Sequence, residues 1–328
     1  MSGAPDTGRL GFGAASIGNL YRETSDEASR KVLEAAWSGG IRYFDTAPHY
    51  GLGLSERRLG AMLRGMPRDE FVVSTKVGRL LRPNPSPTGR DTEGFAVPDD
   101  LMRVFDPSAD GIRRSLDESL MRMGLDRIDI LYLHDPDVYD LDRGLREGLP
   151  ALVRLREEGV IRAVGVGVNS AAVAARAVRE ADLDIVMVAG RYSLLDRSAA
   201  DELLPLCRDR GVAVVDAAVF NSGLLSRATP SADATYDYQR ASADLLARAR
   251  AIASVCERHG VPLPAAALQW PLRNPAVSTV VVGTSRAAAV EENVRFMALP
   301  IPESLWADLV ECGLLPADQA AGVGQDLS

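Results

Sequence analysis

The sequence predicts an α/β fold, a (β/α)₈ TIM barrel that forms a single domain over residues 1–328. Short apolar segments alternate with amphipathic segments, and this alternation occurs eight times along the chain. Strict alternation of strand and helix is typical of a parallel sheet, and eight units are the number that closes a barrel. A chain of 328 residues also has the usual size of one such barrel.

The eight predicted strands are apolar and rich in β-branched residues, as expected of strands covered on both faces. They span residues 10–13, 41–45, 71–75, 128–133, 162–166, 185–188, 212–216 and 279–282. An open doubly wound sheet is the competing fold, but it would carry a G-x-G-x-x-G turn after its first strand. The segment G-F-G-A-A-S that begins at Gly11 lacks the third glycine, and the barrel is therefore the preferred prediction.

Helical patterns follow the strands, with Ser25 as the expected cap of the first helix. The predicted helices span residues 25–37, 55–64, 108–123, 143–158, 171–179, 199–210, 243–258 and 286–297. Two segments fall outside the alternation, residues 80–106 after the third strand and 222–240 after the seventh. Both are predicted to be long loops on the face where a barrel binds its substrate.

Composition excludes several classes of partner. Hydrophobic residues make up 46% and charged residues 25%, which is typical of a globular protein. The formal net charge is −8 and no basic stretch is present, so neither nucleic acid nor a membrane is an expected partner. No apolar run approaches the ~20 residues of a membrane helix. Three separated cysteines and three histidines predict a cytoplasmic location and no metal site.

Four chemically complementary side chains follow three consecutive predicted strands. Asp45 ends the second strand and Tyr50 follows it, Lys76 follows the third strand and His134 follows the fourth. Because barrel enzymes keep their reactive groups at these strand ends, we expect the four to meet in one pocket. A neighbouring cation lowers the pKa of a phenol, so Lys76, paired with Asp45, would tune Tyr50 as a proton carrier. His134 would hydrogen-bond the substrate oxygen.

The motifs F-D-T-A-P-H-Y-G, S-T-K-V-G and L-Y-L-H-D-P resemble those of the aldo-keto reductases. The resemblance runs from about residue 10 to the last helices. It implies a nicotinamide-dependent oxidoreductase in which Tyr50 is the general acid/base and Asp45, Lys76 and His134 complete a tetrad. His49, beside the tyrosine, is interpreted as a lining residue.

The resemblance also implies an extended nicotinamide cofactor whose adenosine end rests on the loop and helix after the eighth strand. Thr284 or Ser285 is the expected N-cap of that helix, whose free amides suit a phosphate. The expected contact residues are Gly13, Ala14, Asn169, Phe220, Asn221, Gly283, Thr284, Ser285, Arg286, Glu292 and Asn293.

The sequence departs from the family pattern where reductases hold the nicotinamide carboxamide. Gly167 and Val168 replace a Ser-Asn pair, Ala189 replaces a glutamine and Ala217 replaces a stacking aromatic residue. Asn169 is the expected substitute donor, with Phe220 or Asn221 compensating for the missing ring.

Cofactor choice follows from a second departure. NADP-preferring members place cations where this sequence has Gly283 and Ala289, which leaves Arg286 alone. A 2′-phosphate favours several charge-assisted hydrogen bonds, so NAD is the predicted cofactor, with NADP possible.

These departures resemble a branch of the family that oxidises L-fucose (D-threo-aldoses), L-galactose or pyridoxal. The resemblance predicts an NAD(P)-dependent aldose 1-dehydrogenase that oxidises a sugar lactol to a lactone. Three alternatives stay open: a pyridoxal 4-dehydrogenase, a general NADPH-dependent reductase of aldehydes and ketones, and a cofactor-sensing regulatory subunit with little turnover. The expected partner is a small sugar or aldehyde, and no oligomeric state is predicted.

Overall fold

Twelve strands and eleven α-helices form the part of the chain that this computed structural model describes, residues 3–237 and 239–317. The strands are β1 (Leu10–Gly13), β2 (Tyr43–Asp45), β3 (Val72–Val77), β4 (Arg79–Pro83), β5 (Leu101–Phe105), β6 (Ile130–His134), β7 (Ala163–Val168), β8 (Ile185–Ala189), β9 (Ala213–Ala217), β10 (Thr235–Tyr236), β11 (Gln239–Arg240) and β12 (Val277–Val282). The helices are α1 (Asp26–Ser38), α2 (Leu54–Leu63), α3 (Ala109–Met123), α4 (Leu141–Arg143), α5 (Leu149–Glu157), α6 (Ala171–Glu180), α7 (Leu203–Arg210), α8 (Ala243–Arg258), α9 (Leu263–Gln269), α10 (Ala287–Ala298) and α11 (Glu303–Glu311).

Eight of the strands close into one parallel barrel, in the order β1-β12-β9-β8-β7-β6-β3-β2. β1 pairs with both β12 and β2, so the sheet has no free edge. All eight predicted strands are present within a few residues of their predicted bounds, and the (β/α)₈ barrel is confirmed over the open sheet.

Alternate residues along each strand face opposite sides of the barrel wall, as the two-residue period of a strand requires. Phe44 on β2 and Leu131 on β6 point outward into a large apolar layer beneath the helices. Tyr43 and Tyr132 point inward, where they pack with Ile185 and other side chains that fill the barrel. The interior is therefore a packed core, and residues two apart on a strand occupy successive layers of it.

Two glycines make room for the tyrosines inside the barrel. A Cβ added to Gly11 would lie 2.6 Å from the ring of Tyr43. A Cβ on Gly165 would lie 2.9 Å from the ring of Tyr132 and 2.1 Å from the carbonyl oxygen of Ile185. All three distances are below ordinary contact, so these positions require glycine.

Side-chain caps set several helix starts. Ser25 accepts a hydrogen bond from the amide of Ala28 at 3.1 Å, which confirms it as the N-cap of α1. The helix predicted over 143–158 is interrupted, because a π-helical turn, Gly144–Gly148, separates α4 from α5. α9 and α11 were not predicted.

The two predicted loops contain secondary structure, so their prediction as irregular segments was wrong. β4 and β5 form an antiparallel hairpin within residues 79–105, with Arg79 opposite Phe105. β10 and β11, which have two residues each, pair in antiparallel orientation within the second segment. In β5 the side chains alternate between half-buried and exposed, which lets one face of the hairpin cover the barrel mouth while the other meets solvent.

Among the described residues, no helix has the length and apolar character needed to cross a membrane.

Candidate active site

The strand period brings three of the predicted catalytic residues to one end of the barrel interior. Asp45 ends β2, Lys76 lies near the end of β3 and His134 ends β6. The three side chains are almost completely buried, and all three face inward. Tyr50 reaches them from the turn that joins β2 to α2.

Lys76 is the centre of the arrangement. Its Nζ donates to Asp45 Oδ2 at 2.6 Å, to the carbonyl oxygen of Thr46 at 3.1 Å and to the hydroxyl oxygen of Tyr50 at 3.1 Å. These contacts use all three protons of the ammonium group. Burial alone lowers the pKa of Lys76, but the charge of Asp45 and the hydrogen bonds to Asp45 and Tyr50 together raise it, so the amine stays protonated.

An aromatic cluster completes the pocket. The ring of Tyr50 lies edge-on to the rings of His134 and His49, with centroids 6.0 Å and 5.9 Å away. His49 also contacts Phe95 edge-on at 5.2 Å, and its carbonyl oxygen accepts a hydrogen bond from Arg103. The structure thus places His49 in the wall around the tyrosine and brings the four tetrad residues together.

The pKa of Tyr50 differs from the simplest expectation. Burial raises it above the ordinary value of 10.0, although the charge of Lys76 and the hydrogen bond from Lys76 act to lower it. The charges of Asp45 and Asp135 raise it further. Tyr50 is therefore a neutral phenol at physiological pH, a form that can donate a proton. Its phenolate, the form that can accept one, becomes populated only at more alkaline pH.

Both histidines of the pocket are neutral. Burial and the nearby charges of Arg79 and Lys76 hold the pKa of His134 well below its usual value of 6.5. Burial, with Arg79 and Arg103, lowers the pKa of His49 to about 2. A neutral imidazole has one N–H donor, so His134 can hydrogen-bond a substrate oxygen without adding charge beside Lys76.

A chain of hydroxyl groups lies one layer below the tetrad. Ser74 donates to Asp45 Oδ1 at 2.7 Å, the hydroxyl of Tyr43 lies 3.0 Å from Ser74 Oγ, and that of Tyr132 lies 3.2 Å from Tyr43. Since Ser74 gives its only proton to the carboxylate, Tyr43 must donate to Ser74 and Tyr132 to Tyr43. Every proton in the chain therefore points toward Asp45.

This chain was not predicted, but the sequence carries a signal for it. Tyr43, Ser74 and Tyr132 each stand two residues before a tetrad member, at positions that the strand period directs to the same interior.

The segment after β12 has the features of a phosphate-binding helix start. The N-cap of α10 is Arg286, and no side chain caps the helix, so the expectation of Thr284 or Ser285 at that position was wrong. Thr284 Oγ1 instead accepts from the amide of Arg286 at 3.2 Å. An uncapped helix start leaves its amides available to an anion.

Close approach of two strand ends shapes the same region. A Cβ on Gly283 would lie 2.5 Å from the carbonyl oxygen of Gly13, next to Ala14, which is completely buried. Ser16 Oγ is buried nearby, and it has no hydrogen-bond partner among the described residues. On α10 itself, Glu292 is exposed and Asn293 is buried.

The three residues predicted to hold the nicotinamide carboxamide, Asn169, Phe220 and Asn221, differ from one another in their surroundings. Asn221 is buried and adopts a left-handed backbone conformation with φ 46°. Within residues 3–237 and 239–317, neither polar atom of its side chain has a partner, so it is free to bind a polar ligand group. Asn169 points toward Asp135 at 3.4 Å, while Phe220 packs against apolar core residues. The residues around β1, β9 and β12 thus fit an extended dinucleotide, with an uncapped helix for phosphate and unpartnered polar atoms for its other groups.

Two arginines near the site escaped the sequence analysis. Arg22, before α1, donates to Ser285 Oγ on the loop after β12. Arg79, at the start of β4, is buried and donates to Asp135 Oδ2 at 2.7 Å. The residue Asp135 belongs to the motif L-Y-L-H-D-P, which provided a signal for it. Arg22 and Arg79 lie in segments whose path across the barrel mouth depends on tertiary contacts.

The sequence is similar to that of known oxidoreductases over almost its whole length. The model of the Aldo/keto reductase family matches residues 9–313. D-threo-aldose 1-dehydrogenase from Pseudomonas sp is 56% identical over 94% of this chain and 94% of its own. Pyridoxal 4-dehydrogenase from Microbacterium luteolum is 41% identical over 93% of this chain and 94% of its own. L-galactose dehydrogenase from Arabidopsis thaliana is 33% identical, over 91% and 86% of the two chains.

A solved structure shows the same fold. An aldo-keto reductase from Bacillus halodurans, in its holo form, superposes with a TM-score of 0.73 at 27% identity, covering 97% of this chain and 94% of that one. The resemblance inferred from the sequence motifs, including its branch, is confirmed.

Proposed function

Because the chain belongs to the aldo/keto reductase family, we propose that it is an aldose 1-dehydrogenase that oxidises the ring-closed form of an L-fucose-type sugar to a lactone. As a member of this family it is an oxidoreductase that acts on CH–OH and C=O groups with a nicotinamide cofactor. The sugar is inferred from the relative that is 56% identical over almost the whole chain.

One observation carries the proposed chemistry: Lys76 Nζ bridges Asp45 and the hydroxyl oxygen of Tyr50, at 2.6 Å and 3.1 Å. A bound oxidised nicotinamide ring supplies the acceptor for the hydride that leaves the anomeric carbon. Tyr50 takes the proton of the anomeric hydroxyl, and Lys76 stabilises the phenolate that is needed for this step. Neutral His134 donates a hydrogen bond that orients the same substrate oxygen.

We propose NAD as the preferred cofactor, with NADP as the alternative. The positions that carry cations in NADP-preferring members are Gly283 and Ala289 here. Arg286 is exposed at the start of α10, whereas the guanidinium of Arg22 already donates to Ser285. A 2′-phosphate bound here would draw charge-assisted hydrogen bonds from Arg286, and from Arg22 only through the N–H groups that its bond to Ser285 leaves free.

Oxidation of pyridoxal is the second candidate, favoured by the relative that is 41% identical. A general NADPH-dependent carbonyl reductase and a weakly active sensor subunit share the same fold. Assays with different substrates are therefore needed to distinguish the four functions. The intact hydrogen bonds among Asp45, Lys76 and Tyr50 support catalysis over sensing.

The test is a panel of L-fucose, L-galactose and pyridoxal with NAD⁺ and with NADP⁺, followed by nicotinamide absorbance. A parallel assay pairs NADPH with an aromatic aldehyde. We expect the largest kcat/KM for L-fucose with NAD⁺. Turnover confined to the NADPH assay would contradict the proposal, and tight cofactor binding without any turnover would favour the sensor.

A further inference from the structure

A strained residue follows the catalytic histidine. Asp135 comes directly after His134, at the end of β6, and its backbone has φ 36°, in the left-handed region. For a residue other than glycine this conformation is unfavourable, and it persists only where the surrounding structure imposes it. Such strain is concentrated at binding and catalytic sites, and here it directs a carboxylate to the rim of the pocket.

The carboxylate of Asp135 is held but not saturated. Oδ2 accepts from Arg79 Nη2 at 2.7 Å and lies 3.4 Å from Nε2 of His134. Oδ1 has a single long contact, 3.4 Å to the amide of Asn169. Two carboxylate oxygens can accept about four hydrogen bonds, so Oδ1 retains accepting capacity. The side chain is 13% exposed, which leaves it open to a ligand.

Arg79 complements this acceptor with donors. Its side chain is only 4% exposed, and Nε has no partner among the residues described. The guanidinium lies 5.3 Å from the centre of the Tyr139 ring, a cation–π distance that fixes its orientation. Asp135 and Arg79 thus form a neutral ion pair that presents both donors and acceptors beside the tetrad.

A neutral pair of this kind suits hydroxyl groups better than ions. Each hydroxyl donates one hydrogen bond and accepts another, and two neighbouring hydroxyls match a carboxylate beside a guanidinium. A charged group would gain little beside the pair, because attraction to one partner is offset by repulsion from the other. The location also fits, because the charge of Asp135 acts on Tyr50, and the residue is next in sequence to His134.

We propose that Asp135 and Arg79 form the subsite that recognises two adjacent ring hydroxyls of the sugar. This inference rests on the proposed aldose oxidation. In this role Asp135 accepts the proton of one hydroxyl, and Arg79 donates to the oxygen of its neighbour. The pair contributes to substrate choice and takes no part in proton or hydride transfer.

The experiment compares L-fucose with its 2-deoxy and 3-deoxy analogues. In the unaltered protein, we expect removal of a recognised hydroxyl to lower kcat/KM by about tenfold to hundredfold, the range for hydrogen bonds to charged groups. In Asp135→Asn we expect most of that discrimination to disappear. The value of kcat/KM for L-fucose should fall, whereas that for the analogue that lacks the recognised hydroxyl should change little. Asparagine tolerates left-handed backbone and has the same shape as aspartate.

Matched variants separate recognition from folding. Asp137→Asn changes an exposed carboxylate two residues further along and should keep full discrimination. Arg79→Lys keeps the positive charge but removes the forked donors, and should reduce discrimination for one hydroxyl. The thermal unfolding midpoint of Asp137→Asn and Arg79→Lys should stay near that of the parent protein. Their cofactor affinity, measured by fluorescence, should do the same. If Asp135→Asn does not fold, Arg79→Lys provides the same comparison.

The outcomes are distinguishable. If the parent protein oxidises no aldose with either nucleotide, both the proposed function and this subsite fail. In a second outcome, the parent protein oxidises L-fucose and discriminates against a deoxy analogue. If Asp135→Asn and Arg79→Lys then keep the parent's ratio of kcat/KM between the two sugars, only the subsite is wrong. Loss of kcat/KM on the sugar and on its deoxy analogues by the same factor would also contradict it, because that pattern indicates a general defect.

Discussion

At the scale of single residues, the tetrad was predictable because each member stands at a strand end or in the turn that follows. The distances from Lys76 to Asp45 and Tyr50 bear out the expected meeting of these groups. The net pKa shift of Tyr50 was not predictable from residue types. It depends on how deeply the ring is buried, and burial has a larger effect than the charge of Lys76.

The raised pKa of Tyr50 sets opposite pH dependences for the two reaction directions. Oxidation needs the phenolate, whose fraction grows about tenfold per pH unit below the pKa of Tyr50, so kcat/KM for oxidation should climb through the alkaline range. Reduction needs the phenol and should stay level over the same range, because burial raises the pKa of Tyr50 above its ordinary value of 10.0. Steady-state assays in both directions over roughly pH 6 to 10 check this. A maximum for oxidation at neutral pH would contradict it.

The hydroxyl chain below Asp45 predicts a graded series of variants. In Ser74→Ala, Asp45 Oδ1 loses its donor, its charge is less dispersed, and repulsion of the Tyr50 phenolate grows. We expect the rise of the oxidation rate with pH to shift to higher pH. At neutral pH, kcat should fall by about tenfold, the effect of roughly one lost hydrogen bond.

Tyr43→Phe and Tyr132→Phe remove successively more distant links of that chain and serve as the comparison. The shift to higher pH should diminish in that order, because each link acts on Asp45 only through the previous one. A shift in Tyr132→Phe as large as that in Ser74→Ala would refute the directional chain.

At the scale of elements, the barrel strands were predictable because an apolar β-branched run is a local property. The hairpin of β4 and β5 was missed because its pairing joins segments on either side of residues 84–100. Only contacts across that separation show that Arg79 and Phe105 are opposite each other. The N-cap of α10 was wrongly predicted for a related reason: Thr284 accepts a hydrogen bond from the amide of Arg286, and no side chain caps the helix.

Two glycines of β7 make a matched pair for testing the barrel interior. Gly165→Ala would place its Cβ 2.1 Å from a backbone oxygen of β8, and we expect it to lower the free energy of unfolding by about 3 kcal/mol or prevent folding. Gly167→Ala would place its Cβ no closer than 3.4 Å to Lys76 Cε and 3.6 Å to Tyr132 Cβ, and should cost less than about 1 kcal/mol. Denaturant titration measures both, and equal stabilities would show that the interior is not packed as described.

At the scale of the whole molecule, closure of eight strands is what brings distant segments of the chain to one pocket. β1 and β12 are adjacent, so Gly13 and Gly283 meet although they lie at opposite ends of the sequence. The alternation of strands and helices predicted this closure. It could not predict α9 and α11, which follow no barrel strand directly, or the path of Arg22 and Arg79 across the mouth.

In the proposed mechanism Tyr50, held by Lys76, transfers the proton, and the Tyr50→Phe variant removes the group that does so. The variant keeps the ring but removes the hydroxyl, so we expect kcat for L-fucose oxidation to fall by about 10²–10⁴-fold, the usual contribution of a general acid/base. Nicotinamide binding, followed by fluorescence quenching, should be unchanged. A Tyr50→Phe protein that binds cofactor normally and keeps the parent's kcat would contradict the account.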